Sequence, residues 1–363
     1  MDHSCPIPKR QYRGFVITFL ALAGAGLASI LTLNVLVDPY DVCQTGLLPP
    51  VRLQSRRMKL ELLRKSDRTA RLLILGSSRT WQFSPQTIHR LTGRTAVNMS
   101  VGSCRAEDYL LITHYSIHHG RTPGIIILGI DLEAFHNGLP VDSQWKRLGP
   151  DSRALIAQLR QPSYKTFFQN ASELLSYHMT TASAGSLARY VRATNPAPRA
   201  IFAEDGTIRY PRWEAQIADH TFDLQTNIAA SIQEYRRRLQ DFTALADWRK
   251  AYFREFLLLC REHGIKVAAF VTTLHPQLTA DLTVSTEYAE RKAELWAYLQ
   301  SLRVEFAFEL HDFEDPESYG GNDVDFWDGA HISANNGDRL LNYLVVHSPT
   351  VFTKLNQASH AIQ

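Results

Sequence analysis

Short apolar runs alternate with amphipathic stretches along most of the chain, a pattern typical of α/β proteins. The run GIIILGI is almost entirely apolar, as expected of a parallel strand that is covered on both faces. The predicted strands are Arg71–Leu75, Thr95–Met99, Gly124–Ile130, Lys266–Thr272 and Val304–Leu310. The predicted helices are Gln54–Lys65, Ser84–Leu91, Ala106–His118, Asp247–His263, Glu287–Leu302 and Asn335–Val346. We therefore predict a three-layer, doubly wound α/β fold with a parallel sheet.

The segment between the third and fourth predicted strands is much longer than one crossover helix requires. We predict an insertion at about 136–246 within an α/β domain that spans 70–348. Its pattern indicates helices at Ala154–Arg192 and Asp223–Leu245, loops at Gln144–Pro150 and Ala193–Pro198, and a hairpin or irregular loop around Gly206. An insertion above the carboxyl ends of the strands is a place for a substrate lid or a docking surface. Simple structural decoration is the alternative.

One segment near the N-terminus is long enough to cross a bilayer. Phe15 to Val37 contains 23 residues without a charge, and about 20 are needed for a transmembrane helix. Positive residues precede it and negative ones follow: Lys9, Arg10 and Arg13, then Asp38 and Asp41. The positive-inside rule places the tail 1–14 in the cytoplasm, and the linker with its leading helix at 38–69, the domain and the tail 349–363 outside.

We thus expect a single-pass protein of a bacterial plasma (inner) membrane, with a periplasmic or extracellular domain. The alternative is a cleaved signal peptide, but its apolar core usually spans about 7–15 residues. The apolar run continues to Val37, well past the small residues at which cleavage would occur. A run of this length also disfavours a buried core helix.

Composition argues against nucleic-acid binding, a disulfide framework and a cysteine metal site. The net charge of +3 is too small to indicate nucleic-acid binding, and Arg236–Arg238 is most simply a solvated helix face. The four cysteines give neither a disulfide framework nor a metal site. Cys5 would be cytoplasmic, which leaves Cys43, Cys104 and Cys260 for at most one bridge, and Cys260 lies in the apolar stretch FLLLC.

Two short segments far apart in the chain contain candidate catalytic residues. Ser78 follows the first predicted strand, at the sheet edge where open α/β folds bind ligands. His331 lies three residues after Asp328, just before the last predicted helix. A histidine far along the chain can activate a serine, and an aspartate can orient that histidine, because the members of a catalytic triad need to be close in space and not in sequence. The structural alternatives are a helix N-cap for Ser78, a role that Ser77 could equally fill, and a loop position for His331.

Three further histidines could imitate a metal cluster. His114, His118 and His119 lie along one predicted helix, but no HExxH motif or Asp-rich partner accompanies them. We expect surface or groove residues there, no metal, and no cofactor.

Four blocks of the sequence resemble those of the SGNH (GDSL-like) hydrolase superfamily, in the same order. They are Gly76-Ser77-Ser78, Asn98 to Ser103, Gly129-Ile130-Asp131 and Asp328 to Ser333. The resemblance covers roughly 70–345 apart from the insertion. It implies Ser78 as nucleophile, His331 as base, Asp328 as its orienting group, and the N–H of Gly102 or of Ser103 in the oxyanion hole.

The third block departs from this family. Asp131 occupies the position of the family's oxyanion-hole asparagine, and an ionised carboxylate there would repel an oxyanion. We therefore expect Asp131 to pair with Arg79, the neighbour of Ser78. The rival interpretation makes Arg79 a substrate-binding residue for an anionic ligand.

The Gly-Ser-Ser opening and an N-terminal anchor that ends in Val37-Asp-Pro-Tyr resemble one membrane-anchored branch of the superfamily. That branch includes the D-alanine-transfer protein of teichoic acid modification, with the anchored polysaccharide O-acetyltransferases as more distant relatives. The resemblance implies acyl transfer or ester hydrolysis on a cell-envelope glycan, beside a polytopic membrane acyltransferase as partner. The alternatives are a non-catalytic scaffold of a modification or export complex and a secreted esterase or lipase, which the anchor disfavours.

Overall fold

The computed structural model describes residues 9–40, 43, 45, 47–48, 55–65, 71–139, 141–142, 145, 174–192 and 200–352. The chain forms two compact units, one made of Met1–Gln54 and Arg160–Pro196, the other of Ser55–Leu159 and Ala197–Gln363.

The strands of the larger unit are β1 (Leu72–Leu75), β2 (Ala96–Asn98), β3 (Ile125–Ile130), β4 (Ile201–Phe202), β5 (Ile208–Arg209), β6 (Lys266–Val271) and β7 (Glu309–Asp312). Five of them form one parallel sheet in the order β2-β1-β3-β6-β7. Strands β4 and β5 form a separate antiparallel hairpin. The helices are α1 (Lys9–Val37), α2 (Ser55–Lys65), α3 (Pro85–Thr92), α4 (Ala106–His118), α5 (Tyr177–Val191), α6 (Pro211–Ala218), α7 (Leu224–Leu239), α8 (Asp247–Glu262), α9 (Pro276–Ser285), α10 (Tyr288–Phe306), α11 (Ala334–His347) and α12 (Pro349–Phe352). The predicted fold class is confirmed.

Alternation along the strands divides the core into two apolar layers. Leu73 and Leu75 of β1 join one cluster with residues of α4, α8 and α10. Leu72 and Ile74 point to the opposite face and join a second cluster with residues of α3, α11 and α12. Successive side chains of a strand point to opposite faces, so the sheet lies between two layers of helices.

The sheet order creates a switch point between β1 and β3. The chain leaves β1 toward β2 on one side, and β3 begins the other half of the sheet. In open α/β sheets the crevice at the carboxyl ends of such strands is the usual ligand site. Ser78 follows β1 and Asp131 follows β3, so both lie at this edge.

The predicted strand Val304–Leu310 is wrong over its first half. Helix α10 continues through Phe306, and Ala307, with φ of 53°, ends it before β7 begins at Glu309. Val304 is exposed on the last turn of α10. A short apolar stretch does not distinguish a strand from the end of a helix, and packing of α10 decided between them.

Other differences concern the insertion and the segment after β6. The stretch around Gly206 is the β4–β5 hairpin, as one of the two predicted alternatives has it. Helices α6 and α9 were missed, and both begin with a proline in the first turn. The predicted helix Asp223–Leu245 ends at Leu239. Residues 154–173, the whole loop predicted at 193–198, and the loop predicted at 144–150 apart from Trp145 lie outside the described residues.

The smaller unit contains α1 and α5. The Asn34 amide donates hydrogen bonds to the Leu174 carbonyl (2.6 Å) and the Thr180 hydroxyl (3.0 Å). The part of α1 from Tyr12 to Val37 has a mean hydropathy of 2.2, and none of its most apolar window is buried in the protein. In the part of the chain that the structure describes, α1 is the one helix long and apolar enough to cross a membrane.

Candidate active site

The turn after β1 fixes the roles of two adjacent serines. Gly76 has a φ of 154°, and a Cβ there would lie 2.5 Å from the Thr80 hydroxyl, so only glycine fits. Ser77 then caps a 3₁₀ helix (Ser78–Thr80), its Oγ accepting the Arg79 N–H at 3.1 Å. Ser77 is therefore the cap, and the hydroxyl of Ser78 remains available for another partner.

That partner is His331. Ser78 Oγ lies 2.8 Å from His331 Nε2, and His331 Nδ1 lies 2.9 Å from both carboxylate oxygens of Asp328. A proton on Nδ1 that is donated to the carboxylate leaves the Nε2 lone pair facing the serine hydroxyl. The three residues thus have the geometry of a serine nucleophile, a base and its orienting carboxylate.

Asp328 is held as a carboxylate in a buried position. Its Oδ1 accepts the backbone N–H groups of Ala330 (2.8 Å) and His331 (2.9 Å). Burial alone would raise the pKa of Asp328, but His331 and these hydrogen bonds outweigh it and hold the pKa below its ordinary value. The imidazole is partly exposed, with 23% of the His331 side chain accessible.

The loop that carries Asp328 and His331 is a tight turn closed by backbone hydrogen bonds. The Trp327 N–H donates to the His331 carbonyl at 2.8 Å, and Phe326 forms an antiparallel bridge with Ile332. Helix α7 contacts the turn, because Ser231 Oγ accepts the Gly329 N–H at 3.1 Å. These contacts fix the histidine against the turn after β1.

The prediction that Gly102 supplies an oxyanion donor needs correction. Its N–H already donates to Ser55 Oγ at 2.9 Å, and Ser55 is buried at the start of α2. Arg56 donates to the carbonyls of Gly102 (3.3 Å) and Ser103 (3.4 Å), so this loop is held from the side of α2.

The neighbouring Ser103 has different properties. It is exposed, its φ is 48°, and its N–H forms no hydrogen bond with any of the described residues. A positive φ is uncommon outside glycine and concentrates at functional turns. Of the two predicted positions, Ser103 is the one whose N–H is available.

Arg79 forms the predicted ion pair with Asp131, with 3.7 Å between the guanidinium and Oδ1. Its shorter contact, which the sequence did not predict, is with Glu133 at 2.7 Å. Thr272 connects the pair, accepting from Arg79 at 3.0 Å and donating to Asp131 at 2.8 Å. Tyr235 also accepts from Arg79 at 3.0 Å. We call these five residues the Arg79 cluster.

The predicted substrate-binding role of Arg79 needs correction as well. Only 4% of its side chain is exposed, and both terminal nitrogens have partners within the protein. Burial opposes its charge, yet Asp131 and Glu133 hold the pKa of Arg79 above its ordinary value. The guanidinium is a buried counter-ion and is not available to a ligand.

Asp131 does not take the place of the missing asparagine donor. Its Oδ1 is occupied by Thr272 and Arg79. Burial raises the pKa of Asp131 above its ordinary value, against the attraction of Arg79. The guanidinium of Arg79 therefore offsets the repulsion that the Asp131 carboxylate would exert on a negative charge at Ser78.

Asn98, at the end of β2, is a positioning residue that sequence reasoning missed. Its amide donates to the carbonyls of Thr80 (2.9 Å), Trp81 (3.4 Å) and Phe83 (3.0 Å), and it is fully buried. The side chain thus holds the turn after β1 from the neighbouring strand. An asparagine at the end of a strand within an apolar context was the available signal.

A group of four aromatic residues lies beside the histidine and was also missed. We call Tyr210, Trp213, Phe222 and Trp327 the aromatic cluster. The Tyr210 ring lies 6.4 Å from the His331 ring, and the rings of Trp213 and Trp327 lie 5.6 Å apart with 9° between their planes. The available signal was the aromatic content of the segments YPRW and DFW.

The sequence also singled out histidines of α4 and several cysteines. His114 and His118 stack on each other on α4 with 6.3 Å between ring centroids. Within the described ranges no group of three His, Cys, Asp or Glu side chains is arranged to hold a metal ion. Cys104 and Cys260 are buried free thiols, and burial raises the pKa of both.

Comparisons with known proteins do not assign the chain to a family. No protein-family model matches the chain, and no curated protein matches it. Among solved structures, the chain is similar to that of a candidate acylhydrolase from Bacteroides fragilis. That match has a TM-score of 0.39 and 11% sequence identity, and it covers 83% of this chain and 97% of the other.

Proposed function

We propose that this chain is a membrane-anchored serine acyltransferase or esterase that acts on ester-linked acyl groups of a cell-envelope or exported polysaccharide. The observation that carries the proposal is the contact of Ser78 Oγ with His331 Nε2 at 2.8 Å, with Asp328 at 2.9 Å from Nδ1. The residues meet at the edge of the sheet where α/β folds bind ligands. The glycan is inferred from the resemblance of the four sequence blocks.

The reaction would follow the acyl-enzyme route. Ser78 Oγ attacks the acyl carbon while its proton passes to His331 Nε2, and the imidazolium then donates that proton to the leaving oxygen. The acyl group is left as an ester on Ser78. In the second half, His331 removes a proton from a sugar hydroxyl or from water, which attacks the ester and releases Ser78.

Two backbone donors are proposed for the oxyanion. The Ser78 N–H is the first of a 3₁₀ helix and therefore has no acceptor within that helix. The Ser103 N–H is the second, since the Gly102 N–H is occupied by Ser55. Preorganised N–H groups of this kind are typically the largest single contribution to acyl transfer.

We also propose that the domain lies outside the cytoplasm of a bacterial cell, anchored in the inner membrane by α1, and works beside a polytopic membrane acyltransferase. The support is the positive residues before Phe15 and the hydropathy of 2.2 in the apolar part of α1. Alkaline phosphatase fused after Gln363 matures only in an oxidising compartment and should be active. Activity of a cytoplasmic reporter at the same position would overturn the orientation.

Labelling with a fluorophosphonate tests the enzyme. Wild-type protein should carry the adduct on Ser78, and Ser78→Ala should abolish it. Ser77→Ala is the matched control and should keep most of the label, because Ser77 Oγ is engaged with the Arg79 N–H. An adduct on Ser77, or no adduct on correctly folded protein, would contradict the assignment.

A second assay distinguishes an esterase from a transferase. It compares the release of acyl groups to water with their transfer to an oligosaccharide.

One observation supports a second candidate, a non-catalytic scaffold. Gly102 and Asp131, two of the positions expected in the oxyanion hole, both have protein partners. A scaffold of a polysaccharide modification complex would keep the fold without the chemistry. Absence of phosphonate labelling with retained complex formation would favour it.

A further inference from the structure

The aromatic cluster combines flat surfaces with partial exposure. Trp213 of α6 and Trp327 are both half-buried, and their rings lie parallel at 5.6 Å. Tyr210 lies against both indoles, at 4.7 Å from Trp213 and 5.6 Å from Trp327, and Phe222 contacts Trp327 edge-on at 5.9 Å. The four rings therefore pack against one another, and the two indoles remain partly accessible.

Its position relative to His331 distinguishes the two halves of an ester substrate. The imidazole gives a proton to the leaving alcohol and takes one from the incoming alcohol, so the alcohol half must lie beside His331. The Tyr210 ring is 6.4 Å from that imidazole, and the backbone N–H of Trp327 donates to the His331 carbonyl. The cluster thus adjoins the alcohol half of the substrate.

The shape of the cluster indicates what kind of alcohol it accepts. A long acyl or alkyl chain would require an enclosed apolar channel. Partly exposed indoles instead leave some of their aromatic surface open to water. A pyranose ring has an apolar C–H face and polar edges, and it matches such a surface.

We propose that Trp213 and Trp327 bind a pyranose ring of the glycan through stacking, beside His331, so that its hydroxyl reaches the acyl-enzyme. The assignment to the alcohol half rests on the proposed function, whereas sugar binding by the cluster does not depend on the chemistry. Tyr210 and Phe222 position the two indoles.

The test measures binding by titration calorimetry on the full-length Ser78→Ala protein in detergent. This variant lacks the nucleophile and therefore cannot convert a substrate during the titration. The probes are cellohexaose and chitohexaose. Adding Trp213→Ala should weaken binding of the better probe by about 10-fold, which corresponds to about 1.4 kcal/mol and lies at the upper end of the range for aromatic stacking. Trp213→Phe, which keeps a ring, should restore much of it. Trp296→Ala, a partly buried tryptophan on α10, is the matched control and should bind like the parent.

Equal affinity with and without the Trp213 ring would overturn the proposal, and so would lack of binding of both oligosaccharides to the Ser78→Ala parent. Thermal unfolding of each variant verifies that a loss is not a loss of fold. The outcome is independent of the fluorophosphonate test. Ring-dependent binding in a protein that is never labelled would support the sugar surface and contradict the enzyme.

Discussion

Two groups of polar residues adjoin Ser78, and each contains an aspartate in different surroundings. Asp328 and His331 lie on one side, where the imidazole is partly exposed. The Arg79 cluster lies on the other side, and almost none of its guanidinium is exposed. Both groups contain a buried aspartate, yet the pKa of Asp328 is lowered and that of Asp131 is raised.

The difference lies in what faces each carboxylate. Asp328 accepts two backbone N–H groups and the imidazole, which stabilise its charge. Asp131 shares a single guanidinium with Glu133, which makes the shorter contact. The effect of burial on the pKa of Asp131 therefore exceeds the opposing effect of Arg79. One group therefore has the geometry that the proposed proton transfer at Ser78 would require. The other holds the turn that carries it, and we expect mutations to separate activity from stability accordingly.

The largest effect on activity is expected from replacing His331, the partly exposed histidine. His331→Ala removes the base that faces Ser78, and we expect acyl transfer or hydrolysis to fall by more than about 10³-fold, within the range of general-base catalysis. The measurement is kcat/KM with an activated acyl ester. Its thermal unfolding should stay close to wild type, because the imidazole contacts mainly the other triad members. Wild-type activity in this variant would end the triad model.

The next effect concerns stability. Arg79→Met leaves Asp131 and Glu133 buried without their cation, and breaking a buried pair in this way costs about 3–5 kcal/mol. Urea unfolding of the full-length protein in detergent measures it. The matched control is Arg254→Met, whose exposed pair with Glu305 should matter far less. Equal stability of the two variants would show that the Arg79 cluster does not hold the turn.

Asp328→Ala should cost about 10²-fold in kcat/KM, less than the loss of His331, because the remaining imidazole can still deprotonate Ser78, although it is less well placed. The ratio of the two variants is the informative quantity. A larger loss for Asp328→Ala than for His331→Ala would mean that the carboxylate does more than orient the base.

The smallest effect is expected for Asp131→Asn. Glu133 still pairs with Arg79, so the free energy of unfolding at pH 7 should change by no more than about 1 kcal/mol. The pH profile is the sharper measurement. The pKa of Asp131 is raised in the folded state, so its contribution to wild-type stability is present below the unfolded pKa of about 3.9 and is lost as pH rises through the folded pKa. The variant should lack this decline, and an unchanged profile would contradict the assignment.

Much of the site could be predicted because its signals are local. The strand before Gly76 and the Asp-x-x-His spacing before α11 lie within short windows, and the structure brings Ser78 and His331 together. Partners from distant segments had no such signal. Ser55 occupies the Gly102 N–H across 47 positions, and Thr272 contacts Arg79 across 193. The aromatic cluster likewise unites residues around 210 with Trp327.

By itself the sequence determined the alternation of strands and helices, the apolar segment of α1, and the identity of the serine, histidine and aspartate. These depend on residue period and on neighbours along the chain. Only the tertiary structure decided which serine caps the turn, which N–H groups remain available, and that Val304 belongs to a helix. It also decided the opposite pKa shifts of Asp131 and Asp328. Burial and hydrogen-bond partners set these properties, and both arise when segments far apart in the chain pack together.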